Sequence, residues 1–265
     1  LQVQFNNMIY ILIFITLLIF VCYAFYIIKP KKIKVVPKHW HDILIKNVLF
    51  YKNLSTENQA VFRKRMMLFL SEINIDGVNT EIEELDKILI ASSAVIPVFS
   101  FPNWSYNNLT GVIVYPDSFN ENLQFSDKDT NKRILGIIGT GRFEKQMMLS
   151  KKAIRKAFNN KTDKHNTPVH EFVHLLDKMD GQIDGVPEFF IGKEYIEPWL
   201  ELMHKEMEAI NNDASDIRQY GGTSQAEFFA VASEYFFERP KLFKQKQPEL
   251  YKMLSLCFQY PKNNS

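Results

Sequence analysis

The chain has 265 residues, 46% of them apolar and 23% charged, with a formal net charge of +2 at neutral pH. That composition is globular, and the length suits one sizeable domain or one domain with an appendage. The near balance of charge argues against a nucleic-acid binder or an acidic tail. Two cysteines, Cys22 and Cys257, are too few for a disulfide framework and lack metal-ligand spacing.

Met8 to Ile28 is a run of 21 residues without a charge, followed at once by Lys29, Lys31, Lys32 and Lys34. As a helix it would span about 31 Å, the thickness of a hydrocarbon core. With nothing basic before it, the positive-inside rule predicts a single-pass anchor in the inner (cytoplasmic) membrane, with the bulk of the chain in the cytoplasm. A signal peptide is the rival. It wants a basic start, which is missing, although Cys22-Tyr23-Ala24 is a passable cleavage site. The expected division is 1–28 for the tail and transmembrane anchor, 29–38 for a basic juxtamembrane linker, and 39–265 for the folded domain.

Ser55 caps a predicted helix reaching about Ile73, with Val61, Phe62, Met66, Phe69 and Leu70 as its apolar positions. Thr80-x-x-Glu83 reads as a capping box for a second helix that should stop before Pro97. The middle is β-prone. Gly111–Tyr115, Arg133–Ile138 and Gln146–Leu149 predict three short strands of a small sheet. Ser150 caps a helix to about Phe158. A polar loop follows, then a helix from about Pro168 to Asp180 and a turn at Asp184–Pro187. The stretch from Glu194 to about Ile210 is helical by period, with a kink at Pro198 or a start near Glu197.

The helix after the polar loop carries His170-Glu171-Phe172-Val173-His174. Positions i and i+4 project from one helix face, so two imidazoles at this spacing can bind one zinc ion from the same side. Glu171 then lies close enough to take a proton from a zinc-bound water. Thr167 is a good cap, Pro168 suits the first helical position, and Val169, Phe172, Val173 and Leu176 form the opposite, apolar stripe.

Two histidines leave such a site open, since a catalytic zinc takes three protein ligands. His39, His41 and His165 are poor candidates by spacing and setting, and His204 sits on a charged surface stretch. The run Gly221–Glu238 is crowded with aromatic and small residues and predicts a helix buried on several sides. Glu227, Glu234 and Glu238 stand out on it, because a buried carboxylate is costly unless paired or bound to metal. By spacing alone Glu227 is as much a capping-box residue with Ser224 as a ligand. Glu234 is the ligand in its place, or an acceptor for a histidine N–H. Asp177 is a further candidate for that supporting shell.

The segments Pro168–Asp177, Met179–Gly181 and Asp184–Pro187, then Tyr220–Pro240, Pro248–Tyr251 and Val112–Pro116, resemble the MtfA (Mlc titration factor A) family of zinc-dependent peptidases over about His39 to Pro261. The resemblance implies an α+β fold, a mainly helical zincin-like metallopeptidase domain with a small β-sheet, similar in its core to the anthrax lethal factor protease domain. It implies one Zn2+ per chain held by His170, His174 and Glu227, with Glu171 as general base and Tyr220 as a hydroxyl for the oxyanion. A packing role for Tyr220 in a turn is the plain alternative. Family members are soluble cytoplasmic proteins, from which the expected anchor departs.

Together these readings predict a zinc metallopeptidase of the HExxH-plus-Glu, gluzincin-like type. It would act on a peptide or protein substrate, held at the membrane by its N-terminal helix, with no nucleic-acid partner. The alternative is a non-catalytic membrane-tethered module that keeps the peptidase fold and binds a regulatory protein.

Overall fold

The computed structural model describes residues 13–23, 35–119, 134–159 and 162–258. The chain divides into two units, Leu1–Lys34 and Val35–Ser265. In the first, residues 13–23 are helical (α1). Among the described residues no helix is long and apolar enough to cross a membrane. That finding runs against the expected single-pass anchor and the membrane location that rested on it. Residues 8–12 and 24–34, which complete the expected anchor and most of its linker, lie outside the described residues.

The second unit runs α2 (Trp40–Asn47), α3 (Leu49–Lys52), α4 (Thr56–Glu72), β1 (Asn74–Gly77), α5 (Glu84–Val95), β2 (Gly111–Tyr115), β3 (Gly136–Ile138), β4 (Gln146–Ser150), α6 (Lys151–Asn159), α7 (Thr167–Asp177), α8 (Ile196–Asn211), α9 (Gln225–Glu238), α10 (Pro240–Lys246) and α11 (Pro248–Cys257). It is mostly helical with one small sheet. Local chemistry accounts for most boundaries. Ser55 caps α4 by accepting from Asn58 N, and Ser150 Oγ accepts from Ala153 N at the start of α6. The α5 start lies later than expected, because Glu83 and Asp86, not Thr80 and Glu83, form the capping box. Pro198 falls in the first turn of α8, where a missing N–H costs nothing, so no kink is needed. Val61, expected to be apolar core on α4, is exposed.

Among the described residues the sheet has four strands in the order β1-β2-β4-β3, one more than expected. The added strand, Asn74-Ile75-Asp76-Gly77, is polar and carries no β-prone pattern; its parallel pairing with β2 decides it. β2 and β4 are parallel, and β3 runs antiparallel to β4 at the end of the order. Val112, Val114, Met147 and Leu149 face the main core, while Ile113 and Met148 face a smaller cluster with Tyr115 and Phe119.

α7 and α9 form the centre of the helical layer. Phe172 of α7 packs against Phe69 and Tyr106 at ring distances of 5.6 and 5.3 Å. Phe228 and Phe229 of α9 pack on Trp199 at 6.0 and 5.9 Å. Each fully buried aromatic contributes roughly 1.5–3 kcal/mol. That packing anchors each helix in the apolar core, and α7 and α9 lie against one another there, so acidic and imidazole groups meet in an otherwise apolar interior.

Candidate metal centre

α7 begins one residue earlier than its sequence suggests. The cap is Asn166, whose Oδ1 accepts from Val169 N at 3.1 Å, and Pro168 lies in the first turn. Asn166 also ties α7 to α9, with its N–H donating to Glu234 Oε2 at 2.6 Å and its Nδ2 to Glu238 Oε1 at 2.7 Å. Thus the helix that carries the two histidines is registered against the helix that carries the glutamates.

His170, Glu171 and His174 are all buried. The Nε2 atoms of His170 and His174 lie 3.0 Å apart, with their rings perpendicular. Glu227 Oε2 approaches from α9 to 3.0 Å from His170 Nε2 and 3.6 Å from His174 Nε2. One donor atom from each of these three residues falls within a 4.8 Å cluster. His170 Nδ1 lies 2.7 Å from Glu234 Oε1. A carboxylate can only accept there, so it places a ring proton on Nδ1 and leaves Nε2 as the nitrogen that would serve a metal ion. Glu227 Oε2 is buried and lacks a hydrogen bond of good geometry. Two imidazole nitrogens and an orphaned carboxylate oxygen converging on one point are the donor set of a three-ligand metal site, and the residues fit a zinc ion.

Electrostatics follow from this crowding. Burial opposes charge on His170, but Glu227 and Glu234 outweigh it and hold its pKa up at about 10. Burial also works against the Glu227 carboxylate, yet His170 and His174 pull it well below the usual range. Burial raises the Glu171 carboxyl, against the lowering influence of the two histidines. Burial and then Glu227 push the Tyr220 phenol up.

The two readings open for Glu227 separate here. Ser224 Oγ accepts from Glu227 N at 3.2 Å, but the Glu227 carboxylate turns to the histidines instead of closing the capping box. Glu234 takes the acceptor position on His170. Tyr220, in a 3-10 turn over Gln219–Gly222, is half exposed, with its ring 6.1 Å from that of His170. Asp177 does not support a histidine. Its Oδ2 accepts from Gly185 N at 2.9 Å and holds the loop after α7. His39 and His41 pair with Glu84 and Tyr51, and His204 meets Gln225, all away from the cluster.

Sequence reasoning missed three contributors. Arg218 donates to Glu234 Oε1 and lies under the Tyr220 ring at 5.4 Å. Gly136 of β3 abuts Glu171, so closely that a Cβ there would lie 2.7 Å from Glu171 Oε1. Gly185, with φ of +80°, would drive a Cβ to 2.2 Å from Gln225 O at the start of α9. A glycine in a β-prone run is a weak signal of close backbone approach, and an isolated arginine in a loop carries none.

The fold and this donor set define a metallopeptidase-like protein. The family model described as "Glucose-regulated metallo-peptidase M90" matches residues 28–259, and the chain belongs to that family. It is 29% identical over 223 residues to Mlc titration factor A of Escherichia fergusonii, covering 80% of this chain and 82% of that protein. It is 26% identical over 178 residues to Mlc titration factor A of Pectobacterium atrosepticum, covering 62% and 63%. An uncharacterised protein of Synechocystis sp. is 28% identical over 232 residues, 82% of each chain. The expected MtfA membership is borne out.

Proposed function

We propose that the chain is a zinc-dependent peptidase whose catalytic unit is residues 39–265. The observation that carries this reading is Glu227 Oε2 set 3.0 Å from His170 Nε2, with His174 Nε2 closing the cluster. His170, His174 and Glu227 would hold one zinc ion. When bound, the ion acidifies a water and polarises the scissile carbonyl.

The remaining steps belong to the chain's own residues. Glu171 is a carboxylate whose affinity for protons burial has raised, which suits a base that accepts a proton from water and then delivers it to the leaving amine. Tyr220 has its hydroxyl protonated at neutral pH, since its pKa is raised, and donates to the oxygen that becomes negative. Glu234 keeps the His170 ring in one tautomer.

A substrate backbone would pair at the outer edge of β3, past the bridge between Phe119 and Ile134. Ser150 N donates to Leu135 O and Gly139 N donates to Gln146 O, so residues 135, 137 and 139 spend their backbone groups on β4. Gly136 and Ile138 therefore direct theirs to the outer edge of β3, beside Glu171. An extended peptide added to that edge brings its carbonyls past the metal cluster.

Elemental analysis of the purified chain together with Glu171→Gln tests the reading. About one zinc per chain, kept in the variant while peptide hydrolysis falls by about 10²–10⁴, supports it. Absence of zinc after non-chelating purification overturns it. A second reading is a non-catalytic regulatory module that keeps the fold. It draws on the relatives' name, Mlc titration factor A, which points to a protein partner. Partner binding unchanged in Glu171→Gln, in a chain whose wild type cleaves no peptide, favours that reading.

A further inference from the structure

We infer that Arg218 is a positioning residue that organises the metal cluster from behind, through Glu234 and the ring of Tyr220. The inference rests on the metal-site reading above and assigns a role to a residue outside the histidine–glutamate set.

Glu234 is fully buried. It takes three donors: His170 Nδ1 on Oε1, Asn166 N on Oε2, and an Arg218 guanidinium nitrogen on Oε1. Each comes from a different part of the chain, namely α7, the cap preceding it, and the segment before the 3-10 turn at Gln219–Gly222. Only Arg218 among them is a permanent cation. A carboxylate removed from water needs such a partner to remain in place as an acceptor, and losing one partner of a buried pair is strongly destabilising. The Oε1 that Arg218 holds is the same atom that orients His170. The link from guanidinium to ligand ring is therefore one shared oxygen, and His170 Nδ1 lies only 3.4 Å from the guanidinium itself.

The second contact points to the other half of the site. The Arg218 guanidinium carbon sits 5.4 Å from the Tyr220 ring centroid, within the range of a cation–π contact. Tyr220 is half exposed; Glu227 holds its hydroxyl by a hydrogen bond, and the guanidinium face supports the ring beside His170. One planar cation thus sets a ligand histidine and a hydrogen-bond donor in register. A lysine at this position would supply charge without the planar fork.

The test is zinc affinity of the full chain by chelator competition, for wild type, Arg218→Met, Arg218→Lys, Glu234→Gln and the double variant Arg218→Met/Glu234→Gln. Arg218→Met is expected to weaken zinc binding by about 10–100-fold, with Arg218→Lys between it and wild type. The double variant is expected to lose no more than the weaker-binding single variant, because the oxygen that Arg218 holds is the one that orients His170. Unchanged affinity in Arg218→Met, or losses that multiply in the double variant, overturn the proposal. Should Arg218→Met fail to fold by circular dichroism, Arg218→Lys decides: wild-type affinity overturns the proposal, and a weakening that disappears in the Glu234→Gln background supports it. A wild-type chain that binds no zinc overturns the metal reading and this inference together. Wild-type binding with Arg218→Met unaffected overturns this inference alone.

Discussion

Gly136 of the edge strand and Glu171 of the histidine helix touch so closely that no side chain fits between them: a Cβ on Gly136 would lie 2.7 Å from both Cγ and Oε1 of Glu171. The edge strand and the proposed general base are thereby fixed at van der Waals distance. Gly136→Val should displace the Glu171 carboxylate without touching the three metal-cluster residues. We expect kcat to fall by about 10²-fold, as a misplacement of about 1 Å allows, with zinc content unchanged. Steady-state kinetics beside elemental analysis check this, and full activity would detach Glu171 from the reaction.

Gly185 performs a comparable service at the other helix. Its φ is +80°, and a Cβ on it would come within 2.2 Å of Gln225 O, which leaves no room for alanine. Strain of about 1–2 kcal/mol is expected from the left-handed backbone alone. More telling is the direction of the push, against the first turn of α9, two residues before Glu227. Gly185→Ala should weaken zinc binding by about tenfold or more, on the scale of other losses of support around a metal. A variant that is less stable yet binds zinc as tightly as wild type would show that α9 yields without moving Glu227.

Tyr220→Phe removes one hydroxyl and leaves the ring over Arg218. If that hydroxyl donates to the developing negative oxygen, kcat falls by about 10²–10³ while zinc affinity holds. A rise in KM at constant kcat would instead assign Tyr220 to substrate packing.

Asp177 links stability to pH. Burial pushes its carboxyl up to about 7, only partly opposed by the Gly185 N–H. An unfolded aspartate titrates near ~3.9, so the folded chain holds this proton more tightly. The stabilisation is fully present below about pH 4 and is lost as pH rises through about 7. Asp177→Asn keeps an acceptor for Gly185 and cannot ionise. In urea unfolding of the metal-free protein, wild type should lose about 2–4 kcal/mol more than the variant between pH 5 and pH 8.5. Glu238, also raised to about 7 by burial, contributes equally to both and cancels in the difference. Parallel curves would remove Asp177 as a source.

The histidine helix was legible because its signals are local. A spacing of four residues decides which side chains share a face, and caps and prolines decide where the helix begins to within a residue. The α9 helix and its glutamates were legible for the same reason. β1 was not, since Asn74–Gly77 is a strand only because β2 lies beside it. The expected membrane span rested on hydropathy alone, which reports what a segment is made of; among the described residues no helix is long and apolar enough to cross a membrane.

By itself, then, the sequence determined the chemistry on offer: His170, Glu171 and His174 on one turn of helix, and a set of acids on another. Which acid meets which nitrogen was decided only by tertiary structure. Glu227 and Glu234 lie two turns apart on α9, and spacing left their roles interchangeable. Packing of α9 against α7, fastened by Asn166, places one carboxylate at Nε2 and the other at Nδ1 of the same ring. Arg218, Gly136 and Gly185 entered the site by the same route. Contacts between residues far apart in sequence depend on how faces pack, and periodicity within one element carries no record of its neighbour.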